Sequence, residues 1–134
     1  MDEGSRLMVE NRALVERLFG EAIHEGNLAA VDEMFSVGFV DHSTPDQVAG
    51  PAGVKDYFVA VRTGFPDIRV SIDDLIVEGD KVVVRSTWRG THTGNYAGSA
   101  PTGKRVVRTL MQIFRIVDGK FVEEWNEGGE LIDV

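Results

Sequence analysis

Two amide side chains, Gln112 and Asn126, are predicted to face each other across a β-hairpin in the last third of the chain. Asp118 and Gly119 separate two β-rich runs there, and Asp-Gly is the preferred dipeptide for a two-residue turn because both residues need positive φ. Folding the strands about that turn brings Gln112 opposite Asn126, or within one residue of it. Such a pair either closes a polar gap by hydrogen-bonding to itself or lines a cavity, where amide N–H groups can stabilise an oxyanion.

His42 is the candidate general base. It follows Phe39-Val-Asp41, where the chain leaves a short extended segment near the expected mouth of a hollow. A histidine titrates near neutral pH and could abstract a proton next to a carbonyl. The alternative is a histidine that faces solvent or holds its loop through Ser43 or Thr44. Asp41 is interpreted as a loop-capping residue, because adjacent residues on a strand point to opposite faces.

Glu124 shares strand parity with Asn126, so its carboxylate could reach the same hollow. Apolar surroundings would raise its pKa and let it act as an acid or a base. The alternative interpretation is an ion pair with Arg108 on the neighbouring strand.

Three further side chains are predicted to contact a ligand: His92, Trp88 and Tyr57. His92 and Trp88 share one strand face by period-two alternation, and that face is expected to point inward. Tyr57 lies on the apolar face of a helix, where its hydroxyl could meet a cavity wall. Core packing is the simpler interpretation of each. The three histidines of the chain lack metal-ligand spacing, so no metal is predicted.

The composition excludes several classes of function. The chain has 134 residues, enough for a single domain with its own core, and it contains no cysteine. A net charge of −8 without a basic stripe argues against nucleic acid and anionic membranes as partners. No apolar run approaches the ~18 residues of a membrane span, and no signal-peptide pattern is present. The expected location is therefore the cytoplasm.

Helical periodicity covers the first half of the chain. Apolar residues at three-and-four spacing predict a helix from Val9 to His24, preceded by a frayed lead-in over residues 1–8. Asn27 is predicted to cap a short second helix. Pro51 is predicted to begin a third helix, which ends before Pro66.

Four β-rich runs follow, at residues 68–77, 81–93, 105–117 and 120–126. Helices followed by consecutive antiparallel strands indicate an α+β fold, with three N-terminal helices packed on a strongly curved, mostly antiparallel sheet. A sheet of that shape leaves a cone-shaped pocket, which is the default ligand site.

Six segments in a fixed order carry a resemblance to a known family. They are His24–Phe35, Phe39–His42, Gly50–Val54, Gly90–Gly94, Pro101–Lys104 and, most clearly, Ile113–Trp125. In this order they resemble the SnoaL-like polyketide cyclases, within the superfamily of ketosteroid isomerase and nuclear transport factor two. The resemblance covers nearly the whole chain and implies the cone-shaped α+β fold.

The resemblance also implies a reaction, an intramolecular aldol condensation without metal or organic cofactor. In the family an Asp acts as general base, assisted by a His on the neighbouring strand. Here the Asp position holds Asn126 and the His position holds Gln112, and neither amide can take up a proton near neutral pH. In the ketosteroid isomerase branch, the position matching His42 looks like the one that holds the carboxylate base.

Two hypotheses of different class follow. The first is a cofactor-independent enzyme in which His42 abstracts a proton from a hydrophobic carbonyl compound and the two amides bind the enolate, leading to cyclisation, isomerisation or dehydration. The second is a non-catalytic domain of the same fold that binds a hydrophobic small molecule. Epoxide hydrolysis would need an Asp-Arg-Asp trio, which the sequence does not place. A homodimer is also predicted, because the outer face of an open sheet needs cover.

Overall fold

The computed structural model describes all 134 residues of the chain. The helices are α1 (Glu3–Arg17), a π-helical continuation of it (Leu18–His24), α2 (Ala29–Met34) and α3 (Pro51–Gly64). The strands are β1 (Phe35–Asp41), β2 (Arg69–Glu78), β3 (Lys81–Thr91), β4 (Arg105–Val117), β5 (Lys120–Gly128) and β6 (Ile132–Asp133). None of the helices is long and apolar enough to span a bilayer.

The prediction of a frayed lead-in over residues 1–8 is wrong, because α1 already begins at Glu3. Asp2 is the N-cap, and its side chain accepts a hydrogen bond of 2.7 Å from the backbone N–H of Ser5. This contact satisfies one of the donors that a helix start leaves unpaired. The first turns are exposed on all sides, so they carry no apolar periodicity from which the helix could be predicted.

The end of the first helix widens into π-helical turns. The backbone N–H of Glu25 bonds the carbonyl of Gly20 at 3.0 Å, and Gly26 then takes a φ of 70°. Glycine adopts this left-handed conformation without a steric penalty, and the predicted helix stop is confirmed. Asn27, by contrast, provides no side-chain cap for α2.

The sheet has the strand order β1-β5-β4-β3-β2, and β6 pairs with the start of β4. Only the β1–β5 pair is parallel. Asp118 and Gly119 both have positive φ, 50° and 75°, as the hairpin turn requires. Their register places Gln112 directly opposite Asn126. The predicted α+β class and the predicted hairpin are both confirmed.

The core lies between the helices and one face of the curved sheet. It contains 24 buried hydrophobic residues, among them Phe39, Phe114 and Phe121, which are at most 1% exposed. Inner and outer positions alternate along β4, where even-numbered residues face the core. Gln112 is one of those inner residues and is 7% exposed. A buried amide among apolar neighbours indicates a candidate functional site at this end of the core.

Candidate functional site

A cavity of about 200 Å³ lies between the helices and the inner face of the sheet. Most of its wall is apolar and includes Leu18, Phe19, Phe58 and Leu110. Its polar end contains Asp41, Thr44, Gln47, Gln112, Glu124 and Asn126. An apolar cavity with a few convergent polar groups is the usual form of a small-molecule site.

Three neighbouring strands bring the polar groups together. The antiparallel β4–β5 register sets Gln112 opposite Asn126 and Phe114 opposite Glu124. The parallel β1–β5 register sets Asp41 beside Glu124. Two carboxylates and two amides therefore share one end of the cavity, because strand parity turns all four side chains to the same face.

Only one oxygen of the Glu124 carboxylate accepts hydrogen bonds from the protein. Its Oε2 accepts hydrogen bonds from Gln112 Nε2 at 2.9 Å and from Asn126 Nδ2 at 3.1 Å. Its Oε1 has no protein donor. Burial raises the pKa of Glu124 to about 7, and the negative charge of Asp41 adds to this effect. The two amide hydrogen bonds stabilise the ionised form and oppose the rise.

Asn126 joins the two carboxylates. Its Nδ2 also lies 3.3 Å and 3.2 Å from the two carboxylate oxygens of Asp41. Asp41 accepts further hydrogen bonds from Ser43 N at 2.9 Å and Thr44 Oγ1 at 3.2 Å, which is the loop-capping arrangement expected of it. The carboxylate thus caps its loop and lines the cavity at once.

Gln112 also has unused hydrogen-bond capacity at this end. Its Oε1 is buried and has no partner in the protein, while its Nε2 donates one hydrogen bond to Glu124. A buried acceptor without a donor is costly, and a ligand hydroxyl or a water molecule in the cavity would relieve that cost. This end can hold a polar group of a ligand next to a titratable carboxylate.

The comparisons with known proteins agree with this architecture. The sequence profile of the SnoaL-like polyketide cyclases matches residues 13–130. The chain belongs to the SnoaL-like polyketide cyclase family. The resemblance inferred from the six segments is thereby confirmed, and with it the cone-shaped fold of the family. A comparison with curated proteins found no match.

Three solved structures illustrate the similarity. AclR, a proposed hydroxylase from Streptomyces galilaeus, is 30% identical with a TM-score of 0.80, over 91% of this chain and 90% of AclR. A proposed SnoaL-like polyketide cyclase from Jannaschia sp. CCS1 is 27% identical with a TM-score of 0.84, over 96% and 91% of the two chains. TsrD from Streptomyces laurentii is 28% identical with a TM-score of 0.82, over 96% and 90%.

The expectation that His42 faces the hollow of this SnoaL-like fold is wrong. Its Nε2 lies 3.2 Å from Glu123 Oε1, and its ring stacks on Trp125 with centroids 4.9 Å apart. Glu123 and Trp125 occupy the outer face of β5, opposite to Glu124. Because β1 ends with Asp41 facing inward, the next residue necessarily points outward. His42 therefore cannot act as a base inside the cavity.

The alternative interpretations of Glu124 and of the two amides are also wrong. Glu124 does not pair with Arg108, whose Nε donates to the carbonyl of Gly129 at 3.0 Å. Gln112 and Asn126 do not hydrogen-bond each other, because both donate to the carboxylate between them.

The three predicted ligand contacts separate into two groups. Tyr57 and Trp88 line the cavity, although Trp88 is 9% exposed and its Nε1 donates to Ser86 Oγ at 3.0 Å. Burial raises the pKa of Tyr57 well above its ordinary value. His92 is buried, as alternation predicts, but it stacks on Phe65 and lies outside the cavity wall, with Nδ1 3.2 Å from Thr102 Oγ1.

The sequence does not predict that Asp41, Gln47 and Tyr96 line the cavity. The position of Asp41 in the cavity is not predictable, because nothing local indicates that β1 runs parallel to the distant β5. Tyr96 belongs to the loop between β3 and β4, and it enters the wall because Gly94 lets that loop approach α3 closely. A Cβ at Gly94 would lie 1.9 Å from the carbonyl oxygen of Thr63. The glycine itself was the available signal.

Proposed function

We propose that this chain is a cofactor-independent enzyme that abstracts a proton next to the carbonyl group of a hydrophobic compound, with Glu124 as the general base. The observation that carries the proposal is the carboxylate of Glu124 in a mainly apolar cavity, with a pKa of about 7. A general base works best when its pKa lies near the operating pH. In the family pattern the base is an Asp at the position of Asn126, and Glu124 is two residues away on the same strand face.

The hydrogen bonds of Glu124 leave one of its carboxylate oxygens available for proton transfer. Gln112 and Asn126 fix Oε2, so Oε1 remains to accept the proton of a bound substrate. The electron pair of the broken C–H bond then passes into the carbonyl as an enolate. Attack of that enolate on a second carbonyl of the same molecule forms a C–C bond, breaks the π bond of that carbonyl and closes a ring. The alkoxide formed then takes the proton back from Glu124, which regenerates the base. Return of the proton to a different carbon gives isomerisation instead.

The amides are proposed to position the base rather than to bind the enolate. Asn126 Nδ2 already contacts both Asp41 and Glu124, which leaves no N–H free for an oxyanion. Tyr57 is better placed for that role. Its raised pKa keeps the hydroxyl protonated, and it lies in the cavity wall. A donor at this point stabilises charge that develops on the substrate oxygen.

The test follows α-proton exchange, which needs no knowledge of the natural substrate. A panel of hydrophobic β-dicarbonyl compounds is incubated with the protein in D₂O, and deuterium uptake is measured by mass spectrometry. Glu124→Gln is expected to slow the exchange by about 10²-fold or more, which is the usual contribution of a general base. Glu123→Gln is the matched control, because Glu123 is the neighbouring residue on the outer face and pairs with Arg115.

Two results would count against the proposal. Equal exchange in the wild type and Glu124→Gln would remove Glu124 from the chemistry. Saturable binding of panel compounds without any exchange in the wild type would favour the non-catalytic binding domain.

We further propose that two copies of the chain associate through the outer face of the sheet. One apolar residue from each of four adjacent strands lines up there: Ile76, Val83, Ile113 and Trp125 are register partners in that order. Ile76 is 60% exposed and Ile113 is 38% exposed in the single chain. A contiguous apolar row of this kind is typical of an interface, and a two-fold axis would let the row pack on itself.

A further inference from the structure

A second cavity of about 150 Å³ adjoins the first. The two share five wall residues, Tyr57, Trp88, Tyr96, Arg108 and Leu110, so only side chains separate them. The second cavity lies between α3, the inner face of β3 and β4, and the segment after β5 that contains Gly129 and Leu131. Its wall is largely apolar.

Charge distinguishes the two cavities. The first contains the carboxylates Asp41 and Glu124 at its polar end, together with Arg108 in the wall that it shares with the second. No acidic side chain lines the second, which has Arg108 and Arg89 in its wall. In a chain of net charge −8, an apolar cavity lined by two arginines and no carboxylate is a distinct electrostatic environment.

Arg108 stands at the junction with most of its donors unused. Its Nε bonds the Gly129 carbonyl at 3.0 Å, and no carboxylate lies within ion-pair distance of it. The four N–H donors of its two Nη atoms therefore have no protein acceptor. A guanidinium fork with free Nη donors matches the two oxygens of a carboxylate better than a single neutral carbonyl. The side chain is only half-buried, so a ligand can reach it.

We propose that the second cavity is a subsite for an apolar, ring-sized group that carries a carboxylate, with Arg108 as its partner. The assignment of the reacting end to the Glu124 cavity rests on the proposed function. A substrate that spans both cavities would then be a cyclic or aromatic acid whose enolisable carbonyl points toward Glu124. The carboxylates at that end would repel a reversed orientation, so the charge pattern also sets the direction of binding.

The sizes of the cavities agree with this division. The second cavity has about the volume of an engineered apolar cavity that accepts benzene. Each cavity alone is smaller than a typical ligand pocket, whereas the two together reach the lower end of the ~300–1,000 Å³ range.

The experiment compares benzoate with benzamide, which share a shape and differ in charge. Binding is measured by NMR titration at about pH 6, where Glu124, with its pKa of about 7, is mostly protonated. The wild type is expected to bind benzoate about tenfold more tightly than benzamide or better, as a charge-assisted hydrogen-bonded pair should. Arg108→Gln should remove this preference. Arg108→Lys should retain much of the preference for benzoate, because it keeps the positive charge, although it loses the hydrogen bond from Arg108 Nε to Gly129. The two variants together therefore distinguish an effect of the charge from an effect of the lost structural contact.

Two controls address the other arginines. Arg105→Gln makes the same charge change on the same strand outside both cavities and should leave the preference intact. Arg89→Gln is expected to have a smaller effect than Arg108→Gln, because Arg89 is exposed.

Equal affinity for the two probes in the wild type, or an unchanged preference in Arg108→Gln, would overturn the proposal. The assay measures binding without turnover, so its failure leaves the exchange test of Glu124 untouched. Conversely, a Glu124→Gln protein that still exchanges protons normally would leave the Arg108 subsite standing as a binding site.

Discussion

Burial makes the ionised form of Glu124 unfavourable, so the free energy of unfolding is expected to depend on the pH at which this carboxylate ionises. Its pKa is about 7 in the folded chain, against an ordinary value of 4.5. Between these values the folded state holds more protons than the unfolded state, so the free energy of unfolding falls as the pH rises. Glu124→Gln should remove this fall and leave the protein more stable than the wild type at about pH 8, by on the order of 1–2 kcal/mol.

Urea unfolding across this pH range is the measurement, and Glu123→Gln provides a control of opposite sign. A hydrogen bond from Arg115 lowers the pKa of Glu123, so its contribution is present at neutral pH and is lost on acidification. Glu123→Gln should therefore reduce the rise of stability with pH at the acidic end. A Glu124→Gln curve parallel to that of the wild type would show that the carboxylate is solvated as in water.

Individual site residues were predictable where local rules place them. The Asp118-Gly119 turn fixes the hairpin, the hairpin fixes Gln112 opposite Asn126, and parity then brings Glu124 to the same face. The role of Asp41 was not predictable, because the parallel β1–β5 pairing joins segments that are far apart in sequence. His42 was misplaced for the same reason, since the register of β1 decides which of the two residues faces inward.

At the scale of elements, the first helix covers the edge of the sheet that β2 forms. Three of its side chains bond backbone groups along the strand β2 and the turn after it. Asn11 Nδ2 donates to Gly79 O at 3.4 Å, Arg12 Nη2 donates to Leu75 O at 3.1 Å, and His24 Nε2 accepts from Val70 N at 2.9 Å. An uncovered edge would offer unpaired donors and acceptors to another chain, so these contacts protect the sheet as well as fixing the helix.

The contact between His24 and Val70 predicts a dependence of stability on pH. Burial lowers the pKa of His24, and the positive charge of Arg69 lowers it further. The unfolded state takes up a proton near the ordinary pKa of 6.5, whereas the folded state resists it. Stability from this source is therefore present above that pH and is lost on acidification, when a protonated Nε2 can no longer accept from Val70.

His24→Gln retains an acceptor without a titrating ring, so it should weaken the loss of stability between about pH 7 and pH 5.5. His42→Gln is the matched control, because it makes the same substitution at a histidine that contacts Glu123 on the outer face. Thermal unfolding at several pH values measures both. An identical slope in the wild type and His24→Gln would show that His24 does not govern the acid sensitivity.

The elements themselves were predicted better than their ends. The strand β4 has the bounds that its residue pattern predicts, because a loop rich in glycine and proline precedes it and the Asp118-Gly119 turn follows it. The start of α1 was missed because the cap at Asp2, not an apolar stripe, fixes it. The helix α2 ends at Met34, because Phe35 already belongs to β1 and packs edge-on against Phe39 with centroids 4.7 Å apart.

At the scale of the whole molecule, the two faces of the sheet have different tasks. The inner face holds the core and the two cavities, while the outer face carries the row Ile76, Val83, Ile113 and Trp125. Ion pairs flank this row, with Arg85 Nε 2.7 Å from Asp74 and Arg115 Nε 2.6 Å from Glu123. Acidic and basic side chains lie side by side along this row. In a dimer with a two-fold axis, those of one copy could therefore form ion pairs with those of the other instead of repelling them.

The proposed dimer predicts a mass close to twice 14.7 kDa in size-exclusion chromatography with light scattering. Ile113→Asp introduces a charge at the centre of the apolar row and should reduce the mass to that of one chain, because an unpaired charge is costly to bury in an interface. Val59→Asp is the matched control, since Val59 is 49% exposed on α3, away from the outer sheet face. A wild-type mass of one chain at high protein concentration would exclude the dimer, and loss of the dimer in Val59→Asp alone would place the interface on the helices.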